Sequence, residues 1–411
     1  MRVKRFAGIV AGIAAVGLVA GCSSNAEDAA ASEQNVTVWL YPVIADEAKH
    51  KAFWDETIAD FEAANEGITV EYEIFPWANR DESLQTAIAA KKAPDLVYLI
   101  PDQLAAYETS IEPMDEYLSD DHKAQLLPNV AESVTLDAGM MGAPLLTSAQ
   151  PLICNAAAFE AAGVTEYPAS WDDAREIAPA FADAGMHLFH YTASAEATLN
   201  MTFYPLLWQA GGAVYDEEGQ ISFNGEEGVE ALSFLAELAE TDALDPDLLT
   251  SLPPIEQTGL AQGTTACSWV NSVTELAPIW GEENVVVLPP LSGEESVAYG
   301  TVGSLSMLKG STVKDAAGLF AEFATSADVV RPYLTEAGFF SALDTEPIND
   351  PSSLQGQVEQ FVSSTTVGEL EPSSRALMGV LSPEIQAALL GQKTPEQALE
   401  DAAKAAEPLL N

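Results

Sequence analysis

The sequence predicts an α/β protein built on a parallel sheet. Short β-branched and apolar runs at residues 36–41, 68–74 and 95–100 alternate with two stretches that carry apolar residues at helical spacing. A strand–helix–strand order requires crossovers, and these are right-handed and set neighbouring strands parallel. Of the 411 residues, 48% are apolar, which separates the chain from a disordered one and leaves ample length for two or three domains.

The elements follow in order. Val36-Thr37-Val38-Trp39-Leu40-Tyr41 reads as a buried strand ended by Pro42. Over residues 48–65, Phe53, Trp54, Ile58 and Phe61 recur on one helical face, with acids between them, and Gly67 stops the helix. Residues 68–74 alternate as a second strand. A helix over 81–92 follows, and Pro94 leads into the third strand. The loops after these strands begin at Tyr41, Phe75 and Pro101, and in such a sheet they form the natural ligand crevice. Farther on, Val229, Leu232, Leu235, Ala236 and Leu238 make one helical face, and residues 285–288 a buried strand stopped by Pro289-Pro290. The end, 382–409, reads as helix, break at Gly391, and a second helix with Thr394 as cap and Pro395 in its first turn.

Charge narrows the partners. With 63 acidic against 16 basic side chains the formal charge is −47, a field that repels nucleic acids and anionic lipid. Most of that excess reads as a solvated surface. Arg2, Lys4 and Arg5 precede an apolar run over 6–20, the layout of a secretory signal over residues 1–21. The run falls short of the roughly 20 apolar residues of a membrane span. Its ending, Val19-Ala20-Gly21-Cys22, resembles a bacterial lipobox, which implies a lipid on Cys22; an ordinary signal peptide is the plainer alternative. Residues 22–35 are small and polar, a flexible tether. Past Cys22 only Cys154 and Cys267 remain. One disulfide and two buried free thiols fit equally well, and neither has a metal-ligand spacing.

A family resemblance then runs through the chain. V-T-V-W at 36–39, F-E-A-A-N at 61–65, I-T-V-E-Y at 68–72 and A-P-D-L-V at 93–97 resemble the extracellular solute-binding proteins of ABC importers, of the sugar and oligosaccharide type. Gly142-Ala143-Pro144-Leu145 is similar to that family's G-V-P-L. Leu152-Ile153-Cys154-Asn155 resembles its L-x-Y-N, with cysteine for tyrosine. Phe159-Glu160-Ala161-Ala162-Gly163-Val164, then Pro168-Ala169-Ser170-Trp171-Asp172-Asp173, resembles F-E-x-A-G and P-x-T-W-D-E. Gly211-Gly212 before Asp216, and Gly263-Thr264-Thr265-Ala266-Cys267, continue the pattern. So do Lys314-Asp315-Ala316-Ala317 and Ala337-Gly338-Phe339-Phe340-Ser341, where serine replaces proline.

The resemblance implies a periplasmic-binding-protein-like fold: two α/β lobes, a hinge crossed several times, and a cleft between. The N-terminal lobe is expected to take residues 36–147 and 304–345, and the C-terminal lobe 148–303 and 346–411. It implies a carbohydrate ligand, no cofactor, an ABC permease's transmembrane subunits as partner, and a monomer on the extracellular face of the bacterial cytoplasmic membrane, anchored through Cys22.

Sugars present C–H faces to rings and hydroxyls to polar groups, so cleft candidates are aromatics and short polar side chains near strand exits. Tyr41 and Trp77 stand at two exits. By the resemblance, Asp102 and Gln103 bond hydroxyls; the plainer role for Asp102 is capping the helix beyond it. Ser148 and Gln150 share one side of the first crossing if it is extended. The resemblance makes Asn200 and Tyr204 candidates, with Phe203 buried. Trp269 and Asn271 share one face of an expected strand through Cys267, and Tyr299 and Thr301 flank Gly300 at the second crossing. Trp208 and Trp280 also fall near expected loops, and Phe339 and Phe340 fit either cleft or core. No G-x-S-x-G, H-E-x-x-H or P-loop is present, and His187 with His190 lacks a third ligand. A secreted carbohydrate hydrolase, whose two carboxylates could hide among 63 acids, and a surface adhesin without a small ligand are the alternatives.

Overall fold

The computed structural model describes residues 34–194 and 196–410. The expected signal peptide, Cys22 and most of the tether lie outside the described residues. Strand β1 (Gln34–Leu40) pairs parallel with β2 (Ile68–Ile74) in full register from Gln34 opposite Ile68, and β3 (Leu96–Leu99) lies parallel on its other side. Between them run helices α1 (Glu47–Ala64) and α2 (Arg80–Ala89). Asp46 caps α1, its carboxylate accepting from the Ala48 and Lys49 N–H groups, and Trp54, Ile58 and Phe61 are buried beneath it.

The first crossing leaves at the strand Ala143–Thr147, and the second returns as Val302–Leu308. The resemblance implies a return at about residue 304, and the sequence shows no strand signature there. Val302–Leu308 is fully buried and lies antiparallel to β3, to Ile111–Glu112 and to Ala143–Thr147, completing a six-stranded sheet. The helix Lys314–Ala324 then packs Phe320 against Phe61 of α1, ring centroids 5.1 Å apart. One hydrophobic core unites these elements.

A second core surrounds a four-stranded sheet ordered Val285–Leu288, Leu152–Asn155, Thr265–Ser268, His187–Phe189. Cys154 and Cys267 stand directly opposite on antiparallel neighbours and are joined as a disulfide, which closes the alternative of two free thiols. Trp171 opens the helix Trp171–Asp183, is buried, and stacks on Phe234 at 4.6 Å. A third, smaller cluster containing Ala149, Ile153, Val273, Phe340 and Val358 lies beside the crossings. Among the described residues no helix is long and apolar enough to cross a membrane.

Three expected elements differ. The penultimate helix runs Ser374–Leu389, starting well before Ser382, because Leu377 and Leu381 bury on the same face as Ile385 and outweigh the proline at 383. The last helix, Pro395–Ala406, begins where expected, with Thr394 Oγ1 accepting from Gln397 N–H at 3.2 Å. Residues 148–150 are not a strand, and the strand through Cys267 stops at Ser268. There the Ser268 hydroxyl accepts from the Val270 and Asn271 N–H groups and donates to Asn271 Oδ1, turning the chain.

Candidate functional site

Between the two cores lies a cleft of about 740 Å³. Its first wall comes from the carboxyl ends of β1, β2 and β3, where an α/β sheet presents its loops. Pro42 and Val43 follow β1, Trp77 and Arg80 follow β2, and Tyr98, Ile100 and Asp102 follow within or after β3. The back is the pair of crossings. Ser148 N–H donates to Thr301 O at 3.0 Å, Gln150 N–H to Tyr299 O at 3.0 Å, and Thr301 N–H to Ser148 Oγ at 3.1 Å. These bonds satisfy the crossing backbones while four of their side chains line the cleft. The far wall carries Asn200, Met201, Val273 and Arg375, and Phe339 and Phe340 close one end.

Aromatic surface concentrates on the first wall. Trp77 is 39% exposed, stacked on Tyr41 at 5.1 Å and edge-on to Tyr98 at 5.9 Å. Its Nε1 donates to Pro42 O at 3.1 Å, which fixes the indole plane. The Arg80 guanidinium sits 5.1 Å over the Trp77 ring. Tyr299, across the back, has its phenol pushed up to about 12 by burial, so it serves as a neutral hydroxyl donor or acceptor.

The charge at Arg375 is paired. Arg375 Nη1 donates to Asp102 Oδ2 at 2.6 Å and Nη2 pairs with Asp81 Oδ2 at 3.0 Å. Burial alone would lower the Arg375 guanidinium; the Asp102 and Asp81 carboxylates outweigh it and hold it above its usual range. Asp102 Oδ1 and Gln150 Oε1 are buried without a protein partner. Uncompensated acceptors at a cleft wall suit hydroxyl-bearing ligands.

Of the residues expected from sequence, Trp77, Asp102, Ser148, Gln150, Asn200, Tyr299 and Thr301 come together on the cleft. Tyr41, Gln103, Tyr204, Trp269 and Asn271 do not line it, nor do Trp208 and Trp280. Tyr41 is 1% exposed and lies behind Trp77. Gln103 turns inward, its Oε1 accepting from Ile100 N–H and its Nε2 donating to Asp81 Oδ1 at 2.6 Å. Trp269 is buried against Phe189 and Tyr191 because the chain leaves the sheet after Ser268, and Asn271 is spent in that turn. Tyr204 lies with Trp208 around a small chamber beneath the cleft floor. Trp280 is tied to the core by Nε1 donating to Leu260 O. Asp102 sits inside helix α3 (Pro101–Tyr107) rather than capping it. Sequence reasoning missed Arg80, Tyr98 and Arg375. The available signal was the scarcity of basic residues: a guanidinium beside a strand exit is an unusual choice in so acidic a chain.

Among the described residues no group of three or more metal-binding side chains occurs, and His190, pushed down to about 4 by burial, is a neutral core residue.

The family profile for bacterial extracellular solute-binding protein matches residues 45–331. The chain is 25% identical over 407 residues to a binding protein of Brucella abortus (strain 2308), covering 96% of this chain and 98% of that one. It is also 25% identical over 289 residues to the maltotriose-binding protein of Pyrococcus abyssi, covering 66% of this chain and 59% of that protein. Its fold superimposes on the sugar-binding protein MalE from Xanthomonas citri with a TM-score of 0.79, at 19% identity, over 92% of this chain and 97% of that one.

Proposed function

The chain belongs to the bacterial extracellular solute-binding proteins, and on that premise we propose that it captures a sugar or oligosaccharide and delivers it to the permease of an ABC importer. It is a binding protein and not an enzyme. The observation that carries the carbohydrate reading is the cleft itself, which opposes an exposed, hydrogen-bonded indole to neutral and partnerless polar groups drawn from both lobes and both crossings. Flat rings take the C–H faces of a sugar, and Asp102, Gln150, Asn200 and Tyr299 take its hydroxyls.

In this reading the N-terminal lobe comprises residues 36–147 and 304–345, and the C-terminal lobe 148–303 and 346–411. The segments 148–150 and 299–303 bend between them. A ligand that touches both lobes binds only the closed arrangement fully, so binding shifts the population toward closure. The closed monomer then presents two lobe surfaces at fixed spacing to the transmembrane subunits. Cys22 carries the lipid that holds the protein on the extracellular face of the cytoplasmic membrane.

A thermal-shift screen over neutral mono- and oligosaccharides, with small-angle scattering on the hits, tests the ligand class. A ligand at 100 times its dissociation constant stabilises by about 2.7 kcal/mol. Stabilisation together with a smaller radius of gyration is expected. A broad panel that moves neither would overturn the carbohydrate reading and favour an adhesin. Metabolic labelling of the wild type and of Cys22→Ala with a fatty-acid probe tests the anchor.

A further inference from the structure

Arg375 lies on the helix Ser374–Leu389, whose Leu377, Leu381 and Ile385 are buried in the second core. Its guanidinium leaves that core and reaches α2 and α3, which belong with the first. Asp102 and Asp81 each give it one carboxylate oxygen. Asp81 is held in turn, since its Oδ1 accepts from Gln103 Nε2 at 2.6 Å and from Tyr107 Oη at 3.4 Å. The Asp102 side chain is 9% exposed and that of Arg375 38%, so the cluster is partly withdrawn from water. Every other ion pair among the described residues stays within one lobe.

We propose that Arg375 is a positioning residue for solute capture: it clasps the two lobes across the cleft and orients Asp102 for the ligand. The proposal rests on the cleft being the solute site, and adds to that reading a residue outside the notional sugar contacts.

An ion pair that spans a hinge exists only in the closed arrangement, because opening separates the charges and rehydrates them. Its contribution therefore falls on the closed state alone. The apparent affinity of a ligand that needs closure scales with the closed fraction. The two-to-one stoichiometry sharpens the effect. Without the guanidinium, closure withdraws the Asp81 and Asp102 carboxylates from water with no counter-charge to meet them, and is opposed rather than merely unassisted. The clasp also leaves Asp102 asymmetric. Oδ2 is fixed by Arg375, whereas Oδ1, buried and without a protein partner, is left as an acceptor for a ligand hydroxyl.

The first test uses no ligand. Small-angle scattering on the full-length protein should show a larger radius of gyration for Arg375→Ala than for wild type. Arg375→Lys should recover part of the compaction, since an ammonium can serve one carboxylate at a time but not fork between two. Arg375→Ala combined with Asp81→Asn should recover part by removing one of the two carboxylates that closure would otherwise desolvate unpaired, which a merely structural arginine would not do. The second test takes a sugar that stabilises the wild type and titrates Arg375→Ala with it. Weakening by roughly 5- to 150-fold is expected, the range of a conformational coupling.

Equal radii for wild type and Arg375→Ala would overturn the clasp, as would equal affinities. If the ligand-free measurements behave as stated and no sugar binds, the clasp stands and the carbohydrate reading falls.

Discussion

The Cys154–Cys267 disulfide ties the two inner strands of the second sheet, and its removal is the perturbation with the most calculable outcome. The two cysteines are 113 residues apart in sequence and both are 0% exposed. In the chain-entropy account a loop of about 100 residues loses about 4.7 kcal/mol of unfolded-state entropy when closed. Measured effects of native bridges run about 2–5 kcal/mol, and removing both buried sulfurs adds a small packing loss. Cys154→Ala with Cys267→Ala should therefore destabilise the second lobe by about 3–5 kcal/mol. Guanidinium unfolding followed by tryptophan fluorescence reads this directly, because Trp171, Trp208, Trp269 and Trp280 all belong to that lobe or its margin. The midpoint should fall while the slope of the first-lobe transition stays unchanged, since the first core contains neither cysteine. Dithiothreitol should act slowly on the folded protein, because neither sulfur-bearing residue is open to solvent. A loss below about 1 kcal/mol in the double variant would refute the reasoning and place the bridge's effect in the native rather than the unfolded state.

Three further outcomes follow from the same geometry. Trp77→Ala should weaken binding of a sugar that stabilises the wild type about tenfold or more, the scale of an aromatic anchor, while stability changes only by the loss of the Tyr41 stack, about 0.5–1.5 kcal/mol; calorimetry and thermal melting separate the two. Acid should destabilise the first lobe through His50 and the second through His190, both pushed down to about 4 by burial. Their folded values lie below the usual 6.5, so the stability is present above pH 6.5 and is lost as pH falls toward 4, by about 1.4 kcal/mol per pH unit and histidine; His50→Gln should remove its share from a pH series of denaturant midpoints. Thr394→Ala should cost about 1 kcal/mol by freeing the Gln397 N–H, seen as a lowered melting temperature with unchanged ligand affinity.

The elements of the first lobe were legible because each is local. Val36 to Tyr41 carries its own β-branched signature, Phe53, Trp54, Ile58 and Phe61 their own helical spacing, and Gly67 and Pro94 their own breaks. Val302–Leu308 escaped because a strand buried on both faces has no alternation, and its partners lie some two hundred residues upstream. The same limit hid the start of the helix at Ser374. Ser382-Pro383 has the look of a cap and first turn, and only the packing of Leu377 and Leu381 against a distant core overrules it.

The site was legible where function follows from strand exits and crossings, and illegible where it follows from turns. Trp77 and Asp102 reach the cleft because a parallel sheet must place its loops there, and Gln150 and Tyr299 because the paired crossings form its back. Trp269 and Asn271 fail for a single reason: the Ser268 turn ends the strand three residues early and rotates everything after it. Gln103 fails because its neighbour Asp81 captures it, and Asp81 is placed by Arg375 from the other lobe. A side chain's direction within three residues of a strand end thus depends on hydrogen bonds of about 1 kcal/mol each, too small and too distant in sequence to leave a pattern. Arg375 itself illustrates the point most sharply. Its helix face is set by Leu377 and Leu381, yet its charge is needed 273 residues away at Asp102, a requirement that no local spacing could encode.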